Sequence, residues 1–240
     1  DMPPFLAMSL GAGETTVLRM TTAYSMLVNG GRRIKATLID RIQDRYGATI
    51  YRHDERICDG CEAGQAEPKL IDQREQVLDP LTAYQITSIM EGVVIRGTAT
   101  TVRAVGKHLA GKTGTTNDAK DVWFVGFSPD LAVGVFMGYD RPRSLGNTAT
   151  AGAYAAPIFR DFMMAALKDK PDTPFRVPPG LKLISVDPKT GLRSSGQGTI
   201  LEAFKPGTAP PENLSAAASE ETREIPNADR GVGTGTGGLY

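Results

Sequence analysis

LAGKTGTTNDAKDVWFVGFSPDLAVGVFMGYD, residues 109–140, is the stretch that decides how this 240-residue chain is read. Two apolar, β-prone runs lie inside it, residues 122–127 and 131–137. Between them stands Ser128-Pro129-Asp130, which is turn chemistry, so the two runs make a hairpin. Ahead of them, residues 109–114 read as a third strand, joined through the polar loop 115–120. The centre of the chain is therefore expected to be an antiparallel β-meander with Lys112-Thr113-Gly114 on its first strand.

A strand at the rim of a sheet presents unpaired N–H and C=O groups. An extended peptide can pair with them as an added strand. Gly114 has no side chain, so a substrate backbone can approach closely there. Lys112 brings a positive charge suited to a carboxylate, and Thr113 and Thr115 share one strand face and offer hydroxyl donors. The N–H of Thr115 is a candidate donor to a carbonyl oxygen that turns negative during acyl transfer, a contact typically worth about 10²–10³ in rate. By parity Lys112 faces away from both threonines, so one site for all three requires a twisted edge or a lysine that curls around it.

A rival reading starts three residues earlier. Residues 106–113 fit G-x-x-x-x-G-K-[ST], the phosphate-cradling loop of nucleotide hydrolases, and residues 135–140 resemble a strand ending in a magnesium-binding aspartate. That motif requires a helix beginning at the lysine. The residues that follow, Thr-Gly-Thr-Thr-Asn-Asp, are poor helix formers. The chain also carries its own control, a second K-T-G at Lys189-Thr190-Gly191. It follows Asp187-Pro188 and reads as a turn closed by glycine, without chemistry.

Composition narrows the function class. Lys plus Arg is 27 and Asp plus Glu is 27, giving a net charge of zero. A nucleic-acid module usually shows a basic bias, so none is expected. No apolar run reaches the length of a membrane span, and the opening residues lack the basic end of a signal peptide. The two cysteines form C-D-G-C at Cys58 and Cys61. Zinc would need about two more ligands, so a local disulfide or two free thiols are the readings left. The two histidines, His53 and His108, are read as surface or strand residues rather than general bases, since neither is tied to a Ser or Cys motif. Trp123 is read as core packing in the sheet.

The flanks supply helices. Thr15 or Thr16 caps a helix running to about Val28, with Val17, Met20, Tyr24 and Leu27 at helical spacing and Asn29-Gly30-Gly31 as its stop. Residues 37–43 and 48–52 form a hairpin around Asp44-Arg45-Tyr46-Gly47, and residues 54–76 an irregular surface loop. Asp79-Pro80 opens a second helix with a stripe of Ala83, Ile86, Met90 and Val93, ending near Arg96-Gly97. Pro157 lies in the first turn of a last helix to about Lys168, whose apolar face is Ile158, Phe159, Phe162, Met163 and Ala166. Residues 181–186 and 199–204 make a small hairpin around the second K-T-G. Residues 206–240, rich in Ala, Ser, Pro, Gly and charge, are expected to be disordered.

KTGTTND followed by DVWFVGFSPDLAVGVFMGYD closely resembles the transpeptidase domain of bifunctional class A penicillin-binding proteins. K-T-G is one motif of these proteins and of class A β-lactamases, beside S-x-x-K and S-D-N. LGAGETTVLRMTTAYSMLVNGG, at residues 10–31, has the family's LG-x-x-E-x-T-x-L-x-x-x-x-AY pattern, and Gly97-Thr98-Ala99 matches the segment ahead of its KTG strand. The resemblance covers about residues 9–168, with a weaker echo at 186–206.

It implies an α/β fold of the α+β type: an antiparallel sheet flanked by helices, as in the β-lactamase/transpeptidase serine acyltransferases, incomplete in this chain. Residues 1–170 would be the C-terminal portion of that domain, 171–205 a small β extension and 206–240 a tail. Lys112 and Thr115 would be catalytic and Thr113, Gly114 and Thr116 substrate-binding, with no metal and no cofactor. Partners would be peptidoglycan stem peptides and β-lactams. The location would be periplasmic, with any inner-membrane anchor upstream, and this favours the disulfide at Cys58 and Cys61.

One departure from the family is decisive: no serine has lysine three residues on, and none begins S-x-N. Both motifs precede residue 9 in the family's order. The chain is thus expected to hold one wall of a transpeptidase site without its nucleophile, and one sheet face is expected to lack the cover of the helix that carries the serine.

Overall fold

The computed structural model describes residues 5–11, 13–61 and 69–212. The chain divides into two compact units, Asp1–Leu181 and Lys182–Tyr240. In the first, helix α1 (Val17–Val28) is followed by β1 (Arg41–Gln43), β2 (Thr49–Arg52), β3 (Ile57–Asp59), β4 (Lys69–Ile71) and helix α2 (Pro80–Ile95). A 3-10 segment, Thr100–Val105, then leads into β5 (Ala110–Thr115), β6 (Asp121–Phe127), β7 (Ala132–Gly138) and helix α3 (Ala155–Ala166). The second unit contains β8 (Lys182–Val186) and β9 (Ile200–Phe204).

The meander forms as the sequence predicts. Strand order is β5-β6-β7, both pairs antiparallel. Ser128 makes the turn: its N–H donates to Leu131 O at 2.9 Å and its hydroxyl accepts from Leu131 N at 3.1 Å. Lys112 lies on strand β5 and opens no helix, which overturns the nucleotide-loop reading of residues 106–113.

Alternation along β6 divides the core in two. Val122 and Phe124 turn to one face, where Phe124 meets Phe159 of α3 with ring centroids 4.7 Å apart, amid Val102, Leu109, Ala155 and Met163. Phe127 turns to the other, packing with Ala110, Met90 of α2 and Phe175, and with Tyr24, Leu27 and Val28 of α1 at its margin. The sheet is thus flanked by α3 on one side and by α1 and α2 on the other. Beside Trp123, with ring centroids 4.8 Å apart, Phe136 remains 44% exposed.

Local chemistry sets the helix ends. Thr16 Oγ1 accepts from Arg19 N at 3.2 Å, and Asp79 Oδ2 from Thr82 N at 3.0 Å, giving both helices side-chain caps. The stripe of α2 differs from expectation. Ala83 and Met90 are buried, but Ile86 is 38% exposed and Thr87 takes the inward position. Thr87 tolerates burial because its hydroxyl donates to Ala83 O at 2.9 Å. The apolar face of α3 is likewise narrower than predicted. Ala155, Ala156, Phe159 and Met163 are buried, whereas Ile158 and Phe162 are about half exposed.

Other differences lie in the periphery. Only Arg41–Gln43 of the predicted strand 37–43 joins a ladder, because the Thr37 hydroxyl accepts from Ile39 N and competes with pairing. The span 54–76, expected to be irregular, contains the antiparallel pair β3-β4, with Cys58 and Cys61 joined by a disulfide. Residues 171–181 group with the first unit, whose core holds Phe175. In the second unit the β8-β9 hairpin forms as predicted. Of the span expected to be disordered, residues 206–212 are described: Arg193 Nε donates to Pro210 O at 2.7 Å, and Arg193 pairs with Glu212. Residues 213–240 lie outside the described residues.

Glycines on β5 separate packing from access. A Cβ at Gly111 would lie 2.5 Å from Phe124 Cζ, whereas one at Gly114 would meet only Trp123 Cβ, at 3.4 Å. Gly111→Ala should therefore destabilise the chain by about 1–3 kcal/mol, and Gly114→Ala should stay within about 0.5 kcal/mol of wild type. Urea denaturation of the two variants checks this. Equal effects would contradict the packing account of β5.

Candidate functional site

Strand β5 pairs with β6 alone among the described residues, so its other side is a free edge. The ladder fixes which groups face that edge. Thr116 N donates to Asp121 O at 3.0 Å, one step beyond the Thr115–Val122 partners. In an antiparallel pair the residues alternate between facing the partner strand and facing away. Lys112 and Gly114 therefore spend their backbone groups on β6. The N–H and C=O groups of Thr113 and Thr115 point outward.

Side chains obey a different alternation. Lys112 and Gly114 stand opposite Val125 and Trp123, on the face of α1 and α2. Thr113 and Thr115 stand opposite Phe124 and Val122, on the face of α3. The lysine nonetheless reaches the edge, because its ammonium donates to Thr113 O at 2.7 Å. That carbonyl is one of the outward-facing groups, so the long side chain curls around the rim and carries its charge there. Lys112 is exposed.

Both threonine hydroxyls already have neighbours. Thr113 Oγ1 lies 2.7 Å from Thr98 Oγ1, and Thr115 Oγ1 accepts from Ala151 N at 3.1 Å. Thr116 is placed differently. Its hydroxyl accepts from Asp121 N at 2.8 Å and so closes the loop between β5 and β6. In that loop Asp118 and Ala119 adopt positive φ, 60° and 48°. Asparagine-like side chains tolerate this region better than alanine. Ala119 is held there by its N–H to Thr116 O and by Leu145 N on its own carbonyl.

Lys112, Thr113, Gly114 and Thr115 are thus brought together on one rim, while the Thr116 hydroxyl is committed to the loop. Thr98 and Ala151 escaped sequence reading as neighbours of these threonines, since only the fold brings residues 15 and 36 positions away against them. The second K-T-G is a turn: Asp187 Oδ1 accepts from Lys189 N and Thr190 N, and Gly191 has φ 70°. The Thr190 and Lys189 amides hold the Asp187 carboxyl below the ordinary carboxylate range. His108 Nδ1 lies 2.9 Å from Glu91 Oε1, and its backbone N–H donates to Asp172, tying the entry to β5 to α2 and to the segment after α3. Among the described residues no group of His, Cys, Asp and Glu could hold a metal ion.

Fold and site together define a class, an α+β domain whose antiparallel sheet ends in a K-T-G edge strand. Known proteins of that class match this chain. The Transpeptidase family, described as the penicillin binding protein transpeptidase domain, matches residues 5–164. Penicillin-binding protein 1A of Rickettsia conorii is 46% identical over 207 residues, covering 83% of this chain and 26% of that protein. Penicillin-binding protein 1A of Neisseria gonorrhoeae is 37% identical over 238 residues, covering 93% and 28%. The crystal structure of penicillin-binding protein 1A from Haemophilus influenzae superposes with a TM-score of 0.71 at 30% identity, covering 86% of this chain and 34% of that one.

The chain belongs to the penicillin-binding protein transpeptidase family, and its fold is that of the family's transpeptidase domains. It spans about a quarter of the length of the curated relatives it matches.

The Thr116 geometry can be tested without substrate. Thr116→Val should cost about 1 kcal/mol of stability, because it leaves Asp121 N without its acceptor. Thr113→Val should cost less, since the Thr98 hydroxyl it abandons is exposed and can turn to water. Thermal denaturation reads both. A larger loss for Thr113→Val would contradict these placements.

Proposed function

We propose that this chain is part of a serine-type D,D-transpeptidase that cross-links peptidoglycan stem peptides. The carrying observation is the free edge of β5, with outward main-chain groups at Thr113 and Thr115 beside the Lys112 ammonium. A stem peptide ending in D-alanyl-D-alanine pairs along that edge as an added strand. Its carboxylate meets the Thr113 and Thr115 hydroxyls and the potential of Lys112. Gly114 leaves room for the peptide backbone, and Thr116 supports the site by closing the loop behind it.

The nucleophile is a serine from an S-x-x-K segment outside these 240 residues. Its hydroxyl attacks the carbonyl between the two terminal alanines, and its proton passes to the departing amine of D-alanine. The Thr115 N–H and the serine's own N–H stabilise the oxyanion. An amine of a neighbouring strand then attacks the ester and regenerates the serine hydroxyl. β-Lactams mimic the donor and stay on the serine as acyl adducts. In this reading residues 1–181 serve the transpeptidase domain and 182–205 a small β extension. The site works outside the cytoplasm, on a protein anchored to the inner membrane elsewhere in its sequence. No helix among the described residues is long and apolar enough to cross a membrane.

Fluorescent-penicillin labelling tests the proposal. A polypeptide that joins this chain to an upstream S-x-x-K segment should label, and the 240-residue chain alone should not. Lys112→Ala should slow labelling at least about tenfold through loss of a charge-assisted contact. Lys189→Ala, in the turn copy, should leave it unchanged. Labelling of the isolated chain would refute the missing nucleophile. A longer polypeptide with a degraded serine motif that binds peptide without labelling would instead mark a non-catalytic module.

A further inference from the structure

Thr98, on the segment between α2 and the 3-10 turn, is held unusually firmly for an exposed residue. Gly97 before it packs so tightly that a Cβ there would lie 2.8 Å from Val93 Cα. Ala99 after it is fully buried and donates its N–H to Val93 O at 3.1 Å. The Thr98 carbonyl abuts Gly152, where a Cβ would lie 2.7 Å from that oxygen. Ala151, next to Gly152, is the residue whose N–H reaches Thr115 Oγ1. Residues 97–99 and 151–152 thus form one patch behind β5 that touches both threonines of the edge.

The hydrogen-bond inventory assigns roles within this patch. A hydroxyl has one proton to donate and two lone pairs. Thr115 Oγ1 accepts from Ala151 N, so its own O–H is left to donate outward. Thr98 and Thr113 share one proton between them across 2.7 Å. When Thr98 donates, the Thr113 O–H is released toward the edge, and a chain of two hydroxyls ending on an anion is polarised along its length. Without Thr98, Thr113 keeps its hydroxyl but loses the partner that sets the hydroxyl's direction.

We propose that Thr98 is a positioning residue for carboxylate recognition: it donates to Thr113 Oγ1 and aligns the Thr113 proton on the carboxylate of the donor peptide or β-lactam. This rests on the transpeptidase reading above. It adds a third threonine to the carboxylate site, acting through another residue and not by contact with the reacting atoms.

The test uses the polypeptide that joins this chain to an upstream S-x-x-K segment. Acylation rates are measured with a fluorescent penicillin bearing its free carboxylate and with its methyl ester. Thr98→Val should lower the free-acid rate about tenfold while changing the ester rate less than twofold. Thr98→Ser, which keeps the hydroxyl, should restore the free-acid rate to within about twofold of wild type. Thr98→Ala replaces the valine variant if the latter loses its cooperative melt. A wild-type rate in the hydroxyl-free variant overturns the proposal. So does an equal fall with both ligands, which marks a purely structural loss, or a serine variant as slow as valine. A wild-type polypeptide that labels with neither ligand overturns the transpeptidase reading itself, and the role of Thr98 with it.

Discussion

The ladder between β5 and β6 is the constraint on which the site depends. By pairing Lys112 and Gly114 inward, it turns the main-chain groups of Thr113 and Thr115 to the outer edge, where no strand among the described residues pairs with them. Exposed edges of this kind are usually blunted by charge or covered. Here the charge comes from Lys112, whose ammonium sits on an outward carbonyl. On the function proposed above, the same residue that discourages indiscriminate strand pairing favours a partner that ends in a carboxylate.

A short strand can do this only because its two faces are built differently. On the α3 side Phe124 fills the space that Gly111 vacates, and Phe159 fixes Phe124 in turn. The strand is held flat against the core at its buried end, Ala110 and Gly111. Toward Thr115 it is supported by polar contacts with Ala151 and, at the loop, Asp121. Rigid apolar packing at one end and directed hydrogen bonds at the other hold a receptive edge in register without a covering strand. Around Trp123 the face of α1 and α2 is more open, and Phe136 beside it remains 44% exposed.

Much of this was legible from the residues. The alternation at 122–137 and the Ser-Pro-Asp turn dictate the hairpin, and Asp79-Pro80 dictates where α2 begins. The two K-T-G copies were separable because Asp187-Pro188 announces a turn, whereas Trp123-Phe124 announces a partner strand. Other features were not legible, for physical reasons. Ile86 and Thr87 compete for one inward position, and periodicity alone favours the more apolar residue; the bond to Ala83 O decides otherwise. Strands β3 and β4 are three residues each, too short and too charged to show a period. The neighbours of Thr113 and Thr115 come from distant segments that only folding brings close. Parity correctly set Lys112 opposite the threonines, but the curl that returns its charge to the rim is a side-chain conformation that no spacing encodes.

The most direct measurement is a crystal structure of a β-lactam adduct of a polypeptide that joins this chain to an upstream S-x-x-K segment. The account predicts the ligand's amide side chain paired along the outer edge of β5. It places the ligand's carboxylate about 2.7–3.2 Å from the Thr113 and Thr115 hydroxyls, with Lys112 on the same rim. An adduct whose carboxylate lies elsewhere, with the edge of β5 unoccupied, would contradict it.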